Sequence, residues 1–354
     1  MNFSNAVTTT TREKIIPTVF DTVTKGSPLL MMMLRTAKPW KSGYRYDNIF
    51  KYRDSTNGGN IGVADQLDTD RQDVRVKGNF EVKMAYKPVV VANIEEVLNA
   101  GDEQIVSLLD AEFDSQAQSL CNLMSQNLYT GTGVGNDWDS LANAADDGTS
   151  YSTYANLSRT IYPTLKGYYL GSAGALTLNK LATGYDAVEV GIDKPNAIAT
   201  TKTLWSAYEA LLTPTVRAGY SQSGYPKMDQ YGILPKGDSL AGNQGFDVLF
   251  FRGTPMMKDE QCPSGKLFYV NTNYFSFKGV DMSKIQGIEK LNFKKTSDGV
   301  PMGVPGRVPS TLGFNFRIFM SPVDQLAKVG HLLYSGNFTS ENPRLQGQIA
   351  GLTA

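Results

Sequence analysis

Apolar residues recur at helical spacing along one long stretch of this chain and alternate along two others. Between 102 and 129, Ile105, Leu109, Phe113, Ala117, Leu120, Met124 and Leu128 follow at steps of four, with one step of three. No Gly or Pro interrupts them. The spacing gives one apolar stripe and predicts a helix about 42 Å long. Asp102 and Glu103 put negative charge in its first turn, and Gly131 and Gly133 end it.

The alternating stretches are 41–53 and 73–86. In the first, Tyr44, Tyr46, Phe50 and Tyr52 share one face, and Arg45, Asp47, Lys51 and Arg53 the other. In the second, Val74, Val76, Phe80, Val82, Met84 and Tyr86 oppose Asp73, Arg75, Lys77, Glu81 and Lys83. Both predict strands with one wet face, each reaching roughly 43 Å if continuous. The linker 54–72 carries Gly58 and Gly59, then Asp65, Asp68, Asp70 and Arg71. The prediction is a long two-stranded arm with a charged tip that is mobile in free subunits and ordered against a neighbour. A two-stranded ribbon is marginal alone in water, so its aromatic face must lie on its own domain or on another subunit. The estimated reach favours the neighbour.

Residues 1–40 read as an arm with short helices, broken at Pro17 and again at 26–28. It contains the strongest apolar run, LLMMML at 29–34. Six residues are too few to cross a bilayer. The run predicts a helix packing face or a patch held against a neighbour, with Leu29, Leu30 and Met31 as candidate contacts. After the long helix come Gly-rich loops over 131–175, a helical segment with Leu178, Leu181 and Tyr185, a buried strand at 196–200, and a helix with Thr201 as N-cap. A loop over 213–245, strands at 246–251, 267–270, 274–277 and 314–320, a Pro- and Gly-rich return at 297–309 and a mixed segment over 323–352 complete the chain. There is no internal repeat.

Charge narrows the function. Thirty-four basic residues balance thirty-four acidic ones over 354 positions, and Lys294–Lys295 is the nearest approach to a basic patch. No field points to nucleic-acid reading or a membrane surface. Cys121 and Cys262 are far apart and imply no disulfide framework, and Cys121 borders the helix stripe as a small hydrophobe. The N-terminus carries no signal-peptide pattern.

No reactive constellation stands out. His331 is the only histidine, with no motif placing an acid beside it, and reads as structural. Two distant cysteines and one histidine do not make a zinc site. The GTGVG run at 131–135 ends a helix, whereas a nucleotide fingerprint opens one. The acid pairs Glu95–Glu96 and Asp146–Asp147 read as solvated surface, not as carboxylates converging across a cleft. No catalytic residue, cofactor or metal ligand is assigned.

The order of elements resembles the major capsid protein of tailed bacteriophages, the Hong Kong 97-type fold, over essentially the whole chain. Two passages carry the resemblance. GFDVLFFRGTPMMKDEQCPSGKLFYVNTNYFSF at 245–277 has the family's strand, Gly-x-Pro, Pro-x-Gly turn and Asn-x-x-Tyr, and DQLAKVGHLLYSGNFTSENPRLQGQIAGLT at 324–353 is like its closing segment. The resemblance implies an α+β fold. Its parts would be an N-terminal arm at 1–40, an extended β-hairpin loop at 41–88, and a peripheral domain at 89–135 and 278–322 with the spine helix at 102–129. An axial domain at 136–277 and a closing segment at 323–354 would follow.

The implied function is self-assembly into an icosahedral shell that encloses double-stranded DNA without reading its sequence, in a virion assembled in the host bacterial cytoplasm. Partners would be copies of the chain as pentamers and hexamers, with room for portal, separate scaffolding and decoration proteins and none for a membrane. The candidate contacts add Tyr44, Lys51, Arg53, Gly58, Gly59, Asp68, Asp70, Arg71 and Asp73 to the three apolar residues above. Two further expectations follow: no fused scaffolding segment removed from the N-terminus, and no covalent cross-link, since the tip at 54–70 has no lysine. An encapsulin-like compartment enclosing protein cargo is the alternative. An enzyme of unknown type or a tail component is less favoured.

Overall fold

The computed structural model describes residues 27–40, 43–63, 66–67, 69–98, 108–212, 248–282, 285, 288–290, 313–320 and 326–354. The expectations for 1–26, Lys41, Asp65, Asp68, the first turn of the long helix, Lys294–Lys295, and the loops at 213–245 and 297–309 lie outside these residues.

In chain order, helix α1 (Pro28–Arg35) precedes β1 (Lys38–Pro39), β2 (Arg45–Lys51), β3 (Arg75–Glu81) and β4 (Lys83–Ala92). Helices α2 (Asn93–Leu98), α3 (Leu108–Thr130) and α4 (Leu141–Ala144) follow, then short strands β5 (Thr153–Tyr154), β6 (Leu157–Ser158), β7 (Tyr168–Leu170) and β8 (Gly174–Ala175). Next are α5 (Leu178–Val188), β9 (Ala197–Thr200) and α6 (Lys202–Leu211). The chain closes with β10 (Val248–Phe251), β11 (Thr254–Lys258), β12 (Leu267–Val270), β13 (Phe275–Gly279), β14 (Ile288–Lys290), β15 (Phe314–Met320), β16 (Ala327–Ser340), β17 (Gly347–Ile349) and β18 (Leu352–Thr353).

Helix starts follow their caps. Ser27 Oγ accepts from Leu30 N at 3.3 Å, with Pro28 at the first helical position, and Thr201 Oγ1 accepts from Leu204 N at 3.4 Å. Gly131 follows the last residue of α3, as the GTGVG run predicts. The stripe of α3 faces inward: Ala117, Leu120, Met124 and Leu128 are buried, and Phe113 meets Phe316 edge-on at 5.6 Å.

Two sheets organise the body. One runs β1-β13-β16-β15-β14, with β4 also paired to β16. The other runs β10-β11-β9-β12-β17-β7. The closing segment at 323–354 is therefore not a unit of its own: β16 is central to the first sheet and β17 sits inside the second. The expected boundary at 277 falls within β13, which pairs with β16 in the first sheet.

The two long strands are shorter than their alternation predicts. β2 and β3 pair antiparallel over seven residues each, from Arg45↔Glu81 to Lys51↔Arg75. At Val82 the chain changes partner, and β4 pairs with β16 from Lys83↔Gly336 to Ala92↔Ala327. The inward parity changes with it. Phe80 points into the core, but so do Lys83, Ala85, Val89 and Val91, whereas Met84 and Tyr86 are 62% and 61% exposed. A one-residue shift in parity moves every following side chain to the other face. Met84 and Tyr86 therefore do not continue the apolar face of the arm.

Candidate assembly surface

The arm is the β2–β3 ribbon with its tip, and its aromatic face lies on its own subunit. Phe50 and Phe80 are buried in the main core, and Phe80 meets Tyr154 edge-on at 5.4 Å. Tyr52 meets Tyr162 at 5.1 Å, and Asn79 N donates to Ala155 O at 3.0 Å. Gly78 makes the approach possible, since a Cβ there would sit 2.8 Å from the Phe50 ring and 2.9 Å from the Ala155 methyl. The preference for a neighbour as support of this face is corrected accordingly. The estimated reach overstated the ribbon, and the β5–β6 hairpin rises to meet it.

What remains outward is the opposite face, the tip and Tyr44, which leaves the aromatic face and is 70% exposed. Tyr44, Arg45, Asp47, Ile49, Lys51 and Lys77 are exposed, and Lys77 pairs with Asp47 at 2.6 Å. Lys51 pairs with Asp54, whose carboxyl this ammonium holds below its usual range. Arg53 Nε and the Tyr52 hydroxyl both donate to Asp73 O, at 2.8 and 2.7 Å. Asn57 Nδ2 donates to Asp70 O at 2.6 Å, and Thr56 N donates to Gln72 Oε1 at 3.0 Å. The two limbs at 52–57 and 70–73 are thus tied by side chains where regular strand pairing has ended.

Beyond these ties Gly58 and Gly59 have nothing within 4 Å of a would-be Cβ, and Gly58 adopts φ +100. Ile61, Val63 and Leu67 are exposed apolar residues on the tip, and Arg71 is exposed beside them. The contacts expected from the sequence at this tip are polar and glycine positions and do not include these three.

Leu29 and Leu30 are corrected as inter-subunit contacts. They are buried, with Met32, Met33 and Leu34, in the core of their own subunit. Burying each such side chain stabilises by about 1.5–3 kcal/mol, enough to keep the helix inside. Ser27 fixes its start from below by donating to Asp259 Oδ2 at 2.5 Å, where Tyr129 Oη donates at 2.8 Å. Met31 is partly exposed at the edge of the helix.

A second outward surface is the far face of the first sheet. Met84, Tyr86 and Val90 of β4 are exposed there, Tyr86 and Val90 standing across from the half-buried Leu333 and Val329 of β16, with His331 5.9 Å from the Tyr86 ring; Ser335, across from Met84, is fully buried. The sequence carries no sign of this face, because VVV at 89–91 fits either parity.

Polar groups inside the body are structural. Asp146, read from sequence as solvated, is fully buried: it accepts from the backbone N–H groups of Gly148, Ser150 and Tyr151 and pairs with Arg159 at 3.6 Å. Arg159 is 1% exposed and donates to the carbonyls of Leu165, Tyr151 and Asn143. Burial pushes the Cys121 thiol up to about 12. Among the described residues no group of three or more His, Cys, Asp or Glu is placed to hold a metal ion, and no helix is long and apolar enough to cross a membrane.

No protein-family model matches the chain, and no curated protein does. Solved structures do. The capsid asymmetric unit of cyanophage A-1(L) is 16% identical over 99% of both chains, with a TM-score of 0.72. The capsid of a native GTA particle, computed with C5 symmetry, is 9% identical over 98% of this chain and 99% of that one, at 0.56. The holo-SrpI encapsulin complex from Synechococcus elongatus is 12% identical over 99% and 96%, at 0.55. The likeness is one of fold. The chain has the α+β fold of phage major capsid proteins along its whole length.

Proposed function

We propose that this chain is the major capsid protein of a tailed phage, assembling as pentamers and hexamers into an icosahedral shell around double-stranded DNA. The observation that carries the reading is the whole-chain likeness to the cyanophage capsid subunit. Symmetric closure would let many modest contacts per subunit sum to a stable particle. The arm would serve as one connector, its inner face seated on its own body and its tip, with Ile61, Val63 and Leu67 exposed, reaching a neighbouring copy. Tyr44, Lys51, Arg53, Asp70, Arg71 and Asp73 are its proposed polar rim, and the outer sheet face around Met84 and Tyr86 is a second surface for a neighbour. The virion would be its location, with assembly in the host cytoplasm and room for portal, scaffolding and decoration proteins.

The likeness to the encapsulin shell supports a second reading, a compartment for protein cargo, though the overlap is weaker than with the cyanophage capsid. Particles purified from infected cells and treated with nuclease separate the two. Genome-length DNA protected inside shells of this chain supports the capsid reading. Shells filled with a single cargo protein and no DNA would replace it with the second.

A further inference from the structure

We propose that Asn57 is a site of spontaneous covalent modification: the amide nitrogen of Gly58 displaces ammonia from the Asn57 side chain, and the resulting succinimide hydrolyses to aspartate and isoaspartate, releasing a tie between the two limbs of the arm's tip. The reaction is intramolecular and needs only water as co-reactant. It belongs to the free subunit and does not depend on the shell reading.

Asn57–Gly58 is the only Asn-Gly step in the chain. Ring closure requires the backbone nitrogen that follows the asparagine to reach the side-chain carbon. That takes an unhindered, rotatable peptide and an N–H able to lose its proton. Gly58 meets these demands. It is exposed, adopts φ +100, and has nothing within 4 Å of a would-be Cβ. Among the described residues its N–H has no hydrogen-bond partner. Two comparable steps do not meet them. Asp147 is also followed by glycine, but Gly148 N donates to the buried Asp146 carboxylate at 2.9 Å, which holds that nitrogen in place. Asn60 lies on the same tip, but β-branched Ile61 follows it and crowds the peptide nitrogen.

The step balances without a catalyst. Base removes the Gly58 N–H proton, the nitrogen bonds to Asn57 Cγ, and the Cγ–Nδ2 bond breaks as ammonia leaves. Water then adds to either ring carbonyl. Opening at Cγ gives aspartate on the original backbone. Opening at the backbone carbonyl sends the main chain through Cγ and gives isoaspartate, with an extra methylene in the chain. Both products lose a group that the tip uses. Asn57 Nδ2 donates to Asp70 O at 2.6 Å, and Gln72 Nε2 donates to Asn57 Oδ1. A carboxylate has no donor for Asp70 O, so two acceptors would face each other. The new charge would also join Asp54, Asp70 and Asp73 around the tip, where like charges oppose closure.

Storage of the unassembled full-length protein at neutral and at mildly alkaline pH tests the site. Complete tryptic digestion then releases 54–71 as one peptide, since no Lys or Arg lies between Arg53 and Arg71. Asn57 in this peptide should become a mixture of aspartate and isoaspartate, faster at the higher pH, while Asn60 stays an amide. Gly58→Ala should suppress the change. Limited trypsin treatment of the folded, stored protein should cut at Arg71 about two- to tenfold faster than in fresh protein, as expected for the loss of one hydrogen bond, and Asn57→Asp should show the same gain without storage. An Asn57 amide that lasts as long as that of Asn60, or aspartate without isoaspartate, would overturn the site. Cleavage of Asn57→Asp at the native rate would overturn the release of the tie.

Discussion

The ammonium of Lys278 lies 3.4 Å from the centroid of the Tyr46 ring. Lys278 is on β13 and only 1% exposed, and Tyr46 is on the outgoing strand of the arm. Glu341 supplies the other partner at 3.2 Å. A buried ammonium needs compensation for lost water, and the ring face with one carboxylate provides it. The arm thus supplies one of these two partners of a buried charge on the body.

Tyr46→Leu keeps apolar cover over the ammonium but removes the π face. It should destabilise the subunit by about 1–2 kcal/mol, the range for a desolvated cation–π contact. In a Lys278→Met background the same change should cost much less, because the two side chains are coupled. Denaturant melts of the four proteins measure this. Equal costs in both backgrounds would show that the pair does not interact.

Arg159→Met should be among the most damaging single changes. It strands the carbonyls of Leu165, Tyr151 and Asn143 and leaves Asp146 with backbone donors alone. Breaking a buried pair from one side costs about 3–5 kcal/mol. The loss should appear in thermal denaturation, and exposure of the β5–β6 hairpin under the arm should appear in limited proteolysis. A melting curve like that of the native protein would contradict the assignment.

Legibility in the sequence divides along physical lines. The stripe Ala117–Leu120–Met124–Leu128 and the cap Thr201 report local periodicity and a local hydrogen bond, which a linear sequence carries, whereas 26–28 reads only as a break and Ser27 proves to be a cap. The parity change at Val82 is a tertiary event: β16 captures the chain after Glu81, and nothing in the alternating residues marks the exchange. Asp146 looked like surface because its three backbone donors and Arg159 are contributed by the fold, not by neighbours at a recognisable spacing. Leu29 and Leu30 show a third limit, since an apolar helix face reads the same whether its own core or another subunit covers it. The tip residues Ile61, Val63 and Leu67 lie in the short stretch IGVADQL, where three apolar side chains with no sustained period mark no element.

Trypsin reports on the tip. Arg53 and Arg71 bracket it, and both are exposed. The ties from Arg53 to Asp73 and from Thr56 to Gln72 are surface hydrogen bonds, each worth about 0.5–1.5 kcal/mol. Unassembled protein should therefore be cut first at these two arginines with the body surviving, and assembled particles should resist. Equal cleavage of both forms would remove the tip from the inter-subunit contacts.

Electron microscopy of the purified full-length protein tests the central claim most directly. The account predicts closed shells of icosahedral symmetry, or the pentamers and hexamers that build them, across a range of protein and salt concentrations. A monomer at every concentration and salt, with no shell of this chain among particles from infected cells, would contradict it.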